Sequence, residues 1–207
     1  FGELTGNAVE KRIFEEPEQT IAKEKTVYED VPLNAIYIAF KICDRLHPDY
    51  YASDVTSDIL SNGTSSRLHQ KLVKEEKAFV EIDAYITSSD DIGMFVVEGK
   101  ITDGIELQKA TDLIWAEFKK MKEEKVNESE LQKCKNKMLT YMNFSEASLL
   151  NRAISLAYYE LLGNANLINE EEQQYDAVNA EHIQQFAQKT FTKERSNTLF
   201  YLKKESK

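Results

Sequence analysis

Three histidines, His47, His69 and His182, are the only imidazoles in the 207 residues. Two histidines four apart on one helix share a face and can hold zinc, with a glutamate beside them to polarise its water. None of these lies four residues from another: His69 is followed by Gln70-Lys71-Leu72-Val73 and His182 by Ile183-Gln184-Gln185-Phe186. Each reads as a surface or capping residue. Ser65 and Ser66 would be nucleophiles only with a base at hand, and the sequence identifies none. It has no G-x-S-x-G elbow, phosphate-binding glycine loop or G-x-G-x-x-G turn. The carboxylate runs Asp90-Asp91 and Glu170-Glu171-Glu172 read as a turn and as a helix's first turn, where acids meet the positive dipole end. Cys43 and Cys134 lie far apart in apolar segments and read as small buried residues, not as a disulfide framework or metal knuckle. The chain is therefore expected to carry no catalytic residue and no metal ligand set of its own.

The serines belong to the stretch around which the sequence is organised, Asp58–Tyr85. It begins as the end of an apolar helix and breaks at Ser61-Asn62-Gly63, where a tight turn calls for positive φ. Thr64 is expected to cap a second helix, along which Leu68, Leu72 and Val73 form an apolar stripe. From Phe79 the period becomes two, with Phe79, Glu81, Asp83 and Tyr85 on one face and Val80, Ile82, Ala84 and Ile86 on the other.

On either side the chain alternates between strand and helix patterns. Residues 1–18 read as a linker and 19–207 as one domain. Thr20–Glu29 reads as an edge strand. Asn34–Ile42 reads as a central strand covered on both sides. Asp49–Leu60 reads as a helix, and Met94–Ile101 as the return strand of a hairpin turning at Ser88–Asp91. Helices follow over 105–125, from an Asn127-x-x-Glu130 capping box, and over Leu149–Leu162, terminated by Gly163. In the second of these Leu131, Cys134, Met138 and Tyr141 make the expected buried stripe. Asn169 and Asn179 read as caps of short helices, and Thr198–Leu202 as a last strand. Hairpins followed by runs of helices give an α+β fold, a largely antiparallel sheet with helices packed mainly on one face.

The net charge is −10. Nucleic acid and anionic membrane surfaces call for clustered Lys and Arg, so this balance argues against both as partners. No apolar run reaches the eighteen residues of a membrane-spanning helix.

Leu60-Ser61-Asn62-Gly63, Ser65-Ser66-Arg67-Leu68 and Leu72-Val73-Lys74-Glu75-Glu76 together resemble the carboxy-terminal, zinc-free domain of the insulinase/pitrilysin-type zinc peptidases. These are the inverzincins, which include the mitochondrial processing peptidase group. Pro48-Asp49-Tyr50-Tyr51, Gly93-Met94-Phe95 and Ala157–Gly163 extend the likeness over roughly residues 18–202. The resemblance implies a mixed sheet with helices on one side, and a role as the wall that encloses a peptide substrate. Zinc and the His-x-x-Glu-His motif would come from another domain of the same chain or from a partner subunit, so this chain itself needs no cofactor. The chain's start at Phe1 suits a fragment of a longer protein. The alternatives are a domain of an inactive subunit kept for assembly, and an acidic binding module outside this family.

The resemblance also implies where substrate could be met. Asn62, Gly63, Ser65, Ser66 and Arg67 are the candidate substrate- or interface-facing residues. Arg67 is read first as a salt bridge or carbonyl brace, with substrate contact as the alternative. The family's clamp, an Arg and a Tyr seven residues later, falls on Lys74 and Glu81 when aligned on the Val-x-Glu element. Neither matches: a lysine lacks the planar fork, and a glutamate would repel an oxyanion.

Overall fold

The computed structural model describes residues 17–87 and 91–204. The expected linker up to residue 16 and the turn residues 88–90 lie outside this range. Among the described residues the strands are β1 (Lys23–Glu29), β2 (Ala35–Ile42), β3 (Phe79–Thr87), β4 (Gly93–Ile101) and β5 (Ser196–Lys203). They form one sheet in the order β1-β5-β2-β4-β3. All pairings are antiparallel except β1 with β5. The helices are α1 (Asp49–Ser61), α2 (Leu107–Glu123), α3 (Glu128–Glu146), α4 (Leu149–Leu161), α5 (Glu171–Ala177) and α6 (Ala180–Thr190). The fold is the expected α+β class. The last strand does not close an edge but is inserted between β1 and β2.

The core forms where the period-two faces of the strands meet the period-3.6 stripes of the helices. Ile36, Ile38 and Phe40 of β2 and Phe95 and Val97 of β4 are fully buried with Val55 and Ile59 of α1, Ile114 and Phe118 of α2, and Ile183 of α6. Phe118 stacks on Phe191 at 4.5 Å between ring centroids, and both lie against Phe40. Each such aromatic contributes about 1.5–3 kcal/mol by leaving water. The opposite face of β2 carries Tyr37, Ala39 and Lys41, all half-exposed. The strand is central, as expected, but the helices cover it on one side only.

Strict alternation fails at the start of β3. The pairing slips between Phe79 and Glu81, a bulge that leaves two residues opposite one. Phe79 thereby joins Ile82 and Ala84 on the buried face, and Val80 is turned out to 54% exposure. Gly99 on β4 makes room for this, since a Cβ there would meet the Phe79 ring at 2.6 Å.

Candidate functional site

The break between α1 and the next helical turn is the tight turn expected from Asn62-Gly63. Gly63 has φ of 93°, as a left-handed turn requires. Ser66 N–H and Oγ both donate to the Gly63 carbonyl, at 3.0 and 2.7 Å. Thr64 does not cap the following helix, which carries no side-chain cap. The chain is still turning through Ser65 and Ser66, and its helical geometry from Arg67 onward widens to a π-helix over His69–Glu75. Leu68 and Leu72 are fully buried there, as their spacing implied.

Arg67 is a brace. Its Nε and Nη2 donate to the two carboxylate oxygens of Glu130 at 2.9 and 2.7 Å, and Nη1 meets Met121 Sδ at 3.2 Å. This bidentate fork joins the break to the first turn of α3. Asn127 caps α3 through Ser129 N–H, but Glu130 does not return to the cap, because Arg67 holds it. The remaining motif side chains face α3 as well: Lys133 Nζ donates to Ser65 Oγ, and Lys137 Nζ to Asn62 Oδ1. Four of the five candidate residues are thus drawn into local structure, with Gly63 supplying the turn. Lys74 is exposed in the π-helix, and Glu81 points from β3 into an ion pair with Lys100 at 2.5 Å.

The histidines lie on separate elements. His47 Nδ1 accepts from Asp49 N–H at 3.0 Å and so caps α1. His182 sits in the first turn of α6, where its N–H is capped by Asn179. His69 departs from expectation: its Nε2 is buried and has no hydrogen-bond partner among the described residues. No group of three or more His, Cys, Asp and Glu among the described residues could hold a metal ion, so the donor set does not fit a zinc ion. Burial pushes the Cys43 and Cys134 thiols up to about 11, as suits inert packing residues.

A second polar cluster went unread in the sequence. Arg45, 5% exposed in the β2–α1 loop, lies 4.3 Å above the Tyr50 ring centroid and 5.1 Å from that of Tyr51. Its guanidinium donates to Tyr51 Oη at 3.1 Å, Tyr159 Oη at 2.9 Å and Glu171 Oε1 at 2.6 Å. Beside it Tyr175 Oη donates to Asp54 Oδ2 at 2.6 Å. Burial pushes the Asp54 carboxyl up from 3.8 to about 6, against the lowering pull of the Tyr175 bond and of Arg45. The cluster pins α4 and α5 to α1. Its traces in the sequence are the Glu170–Glu172 run, whose middle residue is the partner of Arg45, and the family-like segments that carry Tyr50, Tyr51 and Tyr159.

Two open hollows of about 420 and 540 Å³ flank α6 and β1 respectively, and neither is lined by residues 62–67. Among the described residues no helix is long and apolar enough to cross a membrane.

Comparison with known proteins agrees with this non-catalytic geometry. The family model described as the Peptidase M16 inactive domain matches residues 1–138. The uncharacterized zinc protease YmxG of Bacillus subtilis is 25% identical over 158 residues, which are 76% of this chain and 38% of that protein. A protease from Helicobacter pylori has the same fold with a TM-score of 0.89 and 23% identity, over 96% of this chain and 48% of that one. A peptidase M16 inactive domain from Pseudomonas fluorescens superposes with a TM-score of 0.80 and 16% identity, over 98% and 48%. The chain thus spans less than half the length of each.

Proposed function

Since the chain belongs to the Peptidase M16 inactive domain family, we propose that it is the non-catalytic, substrate-enclosing part of a zinc-dependent metalloendopeptidase acting on peptides. Residues 19–207 form the enclosing unit and 1–18 lead into it. The zinc and its His-x-x-Glu-His helix belong to a companion domain of the same polypeptide or to a partner subunit. The carrying observation is how the family-like motif is used: Arg67 is engaged by Glu130 and Met121, and Ser65 and Asn62 by lysines of α3. A side chain committed in this way stiffens a wall rather than attacking a bond.

A second reading is favoured by one specific feature. Where the family clamp would stand, Lys74 is exposed and Glu81 is paired to Lys100. A domain without that clamp also suits a subunit retained for assembly. One experiment separates the two. The natural polypeptide is purified, and its mass, zinc content and cleavage of unstructured peptides are measured beside those of this chain. The enclosing role predicts one zinc per His-x-x-Glu-His motif and chelator-sensitive cleavage by the whole, with neither in this chain alone. A longer polypeptide or complex free of zinc and activity would favour the assembly role.

A further inference from the structure

Helix α4 turns its apolar side away from the protein. Leu150, Ala153, Ile154, Ala157 and Leu161 recur at i, i+3, i+4, i+7 and i+11, a single stripe at helical spacing. In a self-contained domain such a stripe sits on the core. Here Leu150 is 69%, Ile154 59% and Leu161 68% exposed, and both alanines are exposed too. The side that α4 buries is the other one: Tyr159, about half a turn round the helix, is 5% exposed and bonded to Arg45. A polar anchor therefore fixes the helix while its apolar stripe faces outward. Phe144 and Leu149, at 77% and 83% exposure, continue the apolar surface across the α3–α4 junction. Half of the large exposed apolar side chains among the described residues fall between 141 and 161. A patch this concentrated marks an interaction surface.

Resting on the function proposed above, we infer that the outward stripe of α4 is the seat of the companion domain, which packs an apolar face along Leu150, Ile154 and Leu161. Three observations select this occupant. The Helicobacter pylori and Pseudomonas fluorescens chains of this fold have about half of their length outside it. A net charge of −10 sets a second copy and an anionic lipid surface against the chain. The stripe itself holds no charged residue, since Arg152 and Glu160 lie off it, so an apolar surface matches it and an extended basic peptide does not.

The test places a cysteine on the stripe, Ile154→Cys, with Leu150→Cys as a second probe and Lys109→Cys on α2 as control. Each is made both in the 207-residue chain and in the natural polypeptide, and maleimide modification is timed under native conditions. The native Cys43 and Cys134 are half-buried, which keeps the background low. Both stripe cysteines should react at least about tenfold more slowly in the longer polypeptide than in the chain alone, with the control unchanged. Equal rates in a longer polypeptide that does hold zinc would overturn the inference and leave the proposed function standing. A natural polypeptide whose mass leaves no room for a companion domain, and which purifies with no zinc-bearing partner subunit, would remove both. Protection already present in the chain alone, with sedimentation as a dimer, would assign the stripe to a second copy and also overturn the inference.

Discussion

The two braced arginines flank α1 along the chain, Arg45 before it and Arg67 after it, and solve the same problem differently. Arg67 meets one carboxylate through a two-pronged fork, at 20% side-chain exposure, near the rim where water screens the pair. Arg45 is 6% exposed at its side chain and shares its charge among Glu171, two tyrosine hydroxyls and the faces of three rings. Arg67 ties two helices that each bury leucines in the core, Leu68 and Leu72 on one and Leu131 on the other. Arg45 ties α4 and α5, which have few other buried side chains: Tyr159 in α4 and Tyr175 in α5. The lesson is that the family-like motif secures the body of the domain, while an unremarked loop arginine secures the part that carries the exposed apolar helix.

Replacing each arginine tests this contrast, and the larger effect should come from Arg45. Arg45→Met leaves the half-buried Glu171 without its cation and the tyrosine cage without its centre. Breaking a fully buried pair on one side costs about 3–5 kcal/mol, and Glu171 keeps some access to water, so chemical denaturation should show a loss near the lower end of that range. Amide exchange should accelerate across 149–175 well before the sheet. Uniform acceleration through β2 and β4 would show instead that Arg45 supports the whole core. The Asp54 carboxyl next to it works in the opposite direction. Its folded value of about 6 lies above the ordinary 3.8, so the folded state binds the proton more tightly. That contribution is complete below about pH 3.8 and is lost as pH rises through about 6. Asp54→Asn keeps an acceptor for Tyr175 and cannot ionise. At pH 7 it should gain about 2 kcal/mol, and the downward slope of stability between pH 4 and 6 should flatten. An unchanged slope would place the titration elsewhere.

How much of this could be read in advance follows from the range of each interaction. The Asn62-Gly63 turn, the helix after it, the β3–β4 hairpin and the Gly163 stop depend on neighbours a few residues away. All were legible. The insertion of β5 between β1 and β2 was not, because strand order is decided by partners more than 150 residues apart. The bulge at Val80 escaped because it answers to Gly99 on the next strand, not to the alternation within its own. Tyr141 was expected in the buried stripe of α3, yet it is 71% exposed, because the stripe runs from Met138 to Met142, which packs against the core in its place. Asn169 does not cap α5; its side chain donates to Asn166, while Asn164 caps the turn before it. Arg45 was invisible for a chemical reason: arginine is rarely buried unless paired. Its partners lie 6, 114 and 126 residues away.

A smaller effect sharpens the reading of Arg67. Arg67→Lys keeps the charge but offers one donor group where the fork offered two bonds to Glu130. A loss of about 1–2 kcal/mol is expected, with the exchange pattern across 149–175 unchanged. A loss as large as that of Arg45→Met would erase the distinction between the two braces.

The smallest effect bears most directly on function. Ser65 Oγ with Lys133 Nζ is the one place where the motif sets a hydroxyl against an amine, the pairing a serine–lysine hydrolase would need. Both residues are exposed, and a lysine becomes a base near neutral pH only when burial or another cation drives its proton off. Water does neither, so the solvated pair reads as an ordinary surface hydrogen bond. Ser65→Ala and Lys133→Ala should each change stability by less than about 0.5 kcal/mol. Neither the parent chain nor these variants should react with a fluorophosphonate probe. Stoichiometric labelling of Ser65 that disappears in Lys133→Ala would make this turn a reactive site, and the domain could no longer be called a passive wall.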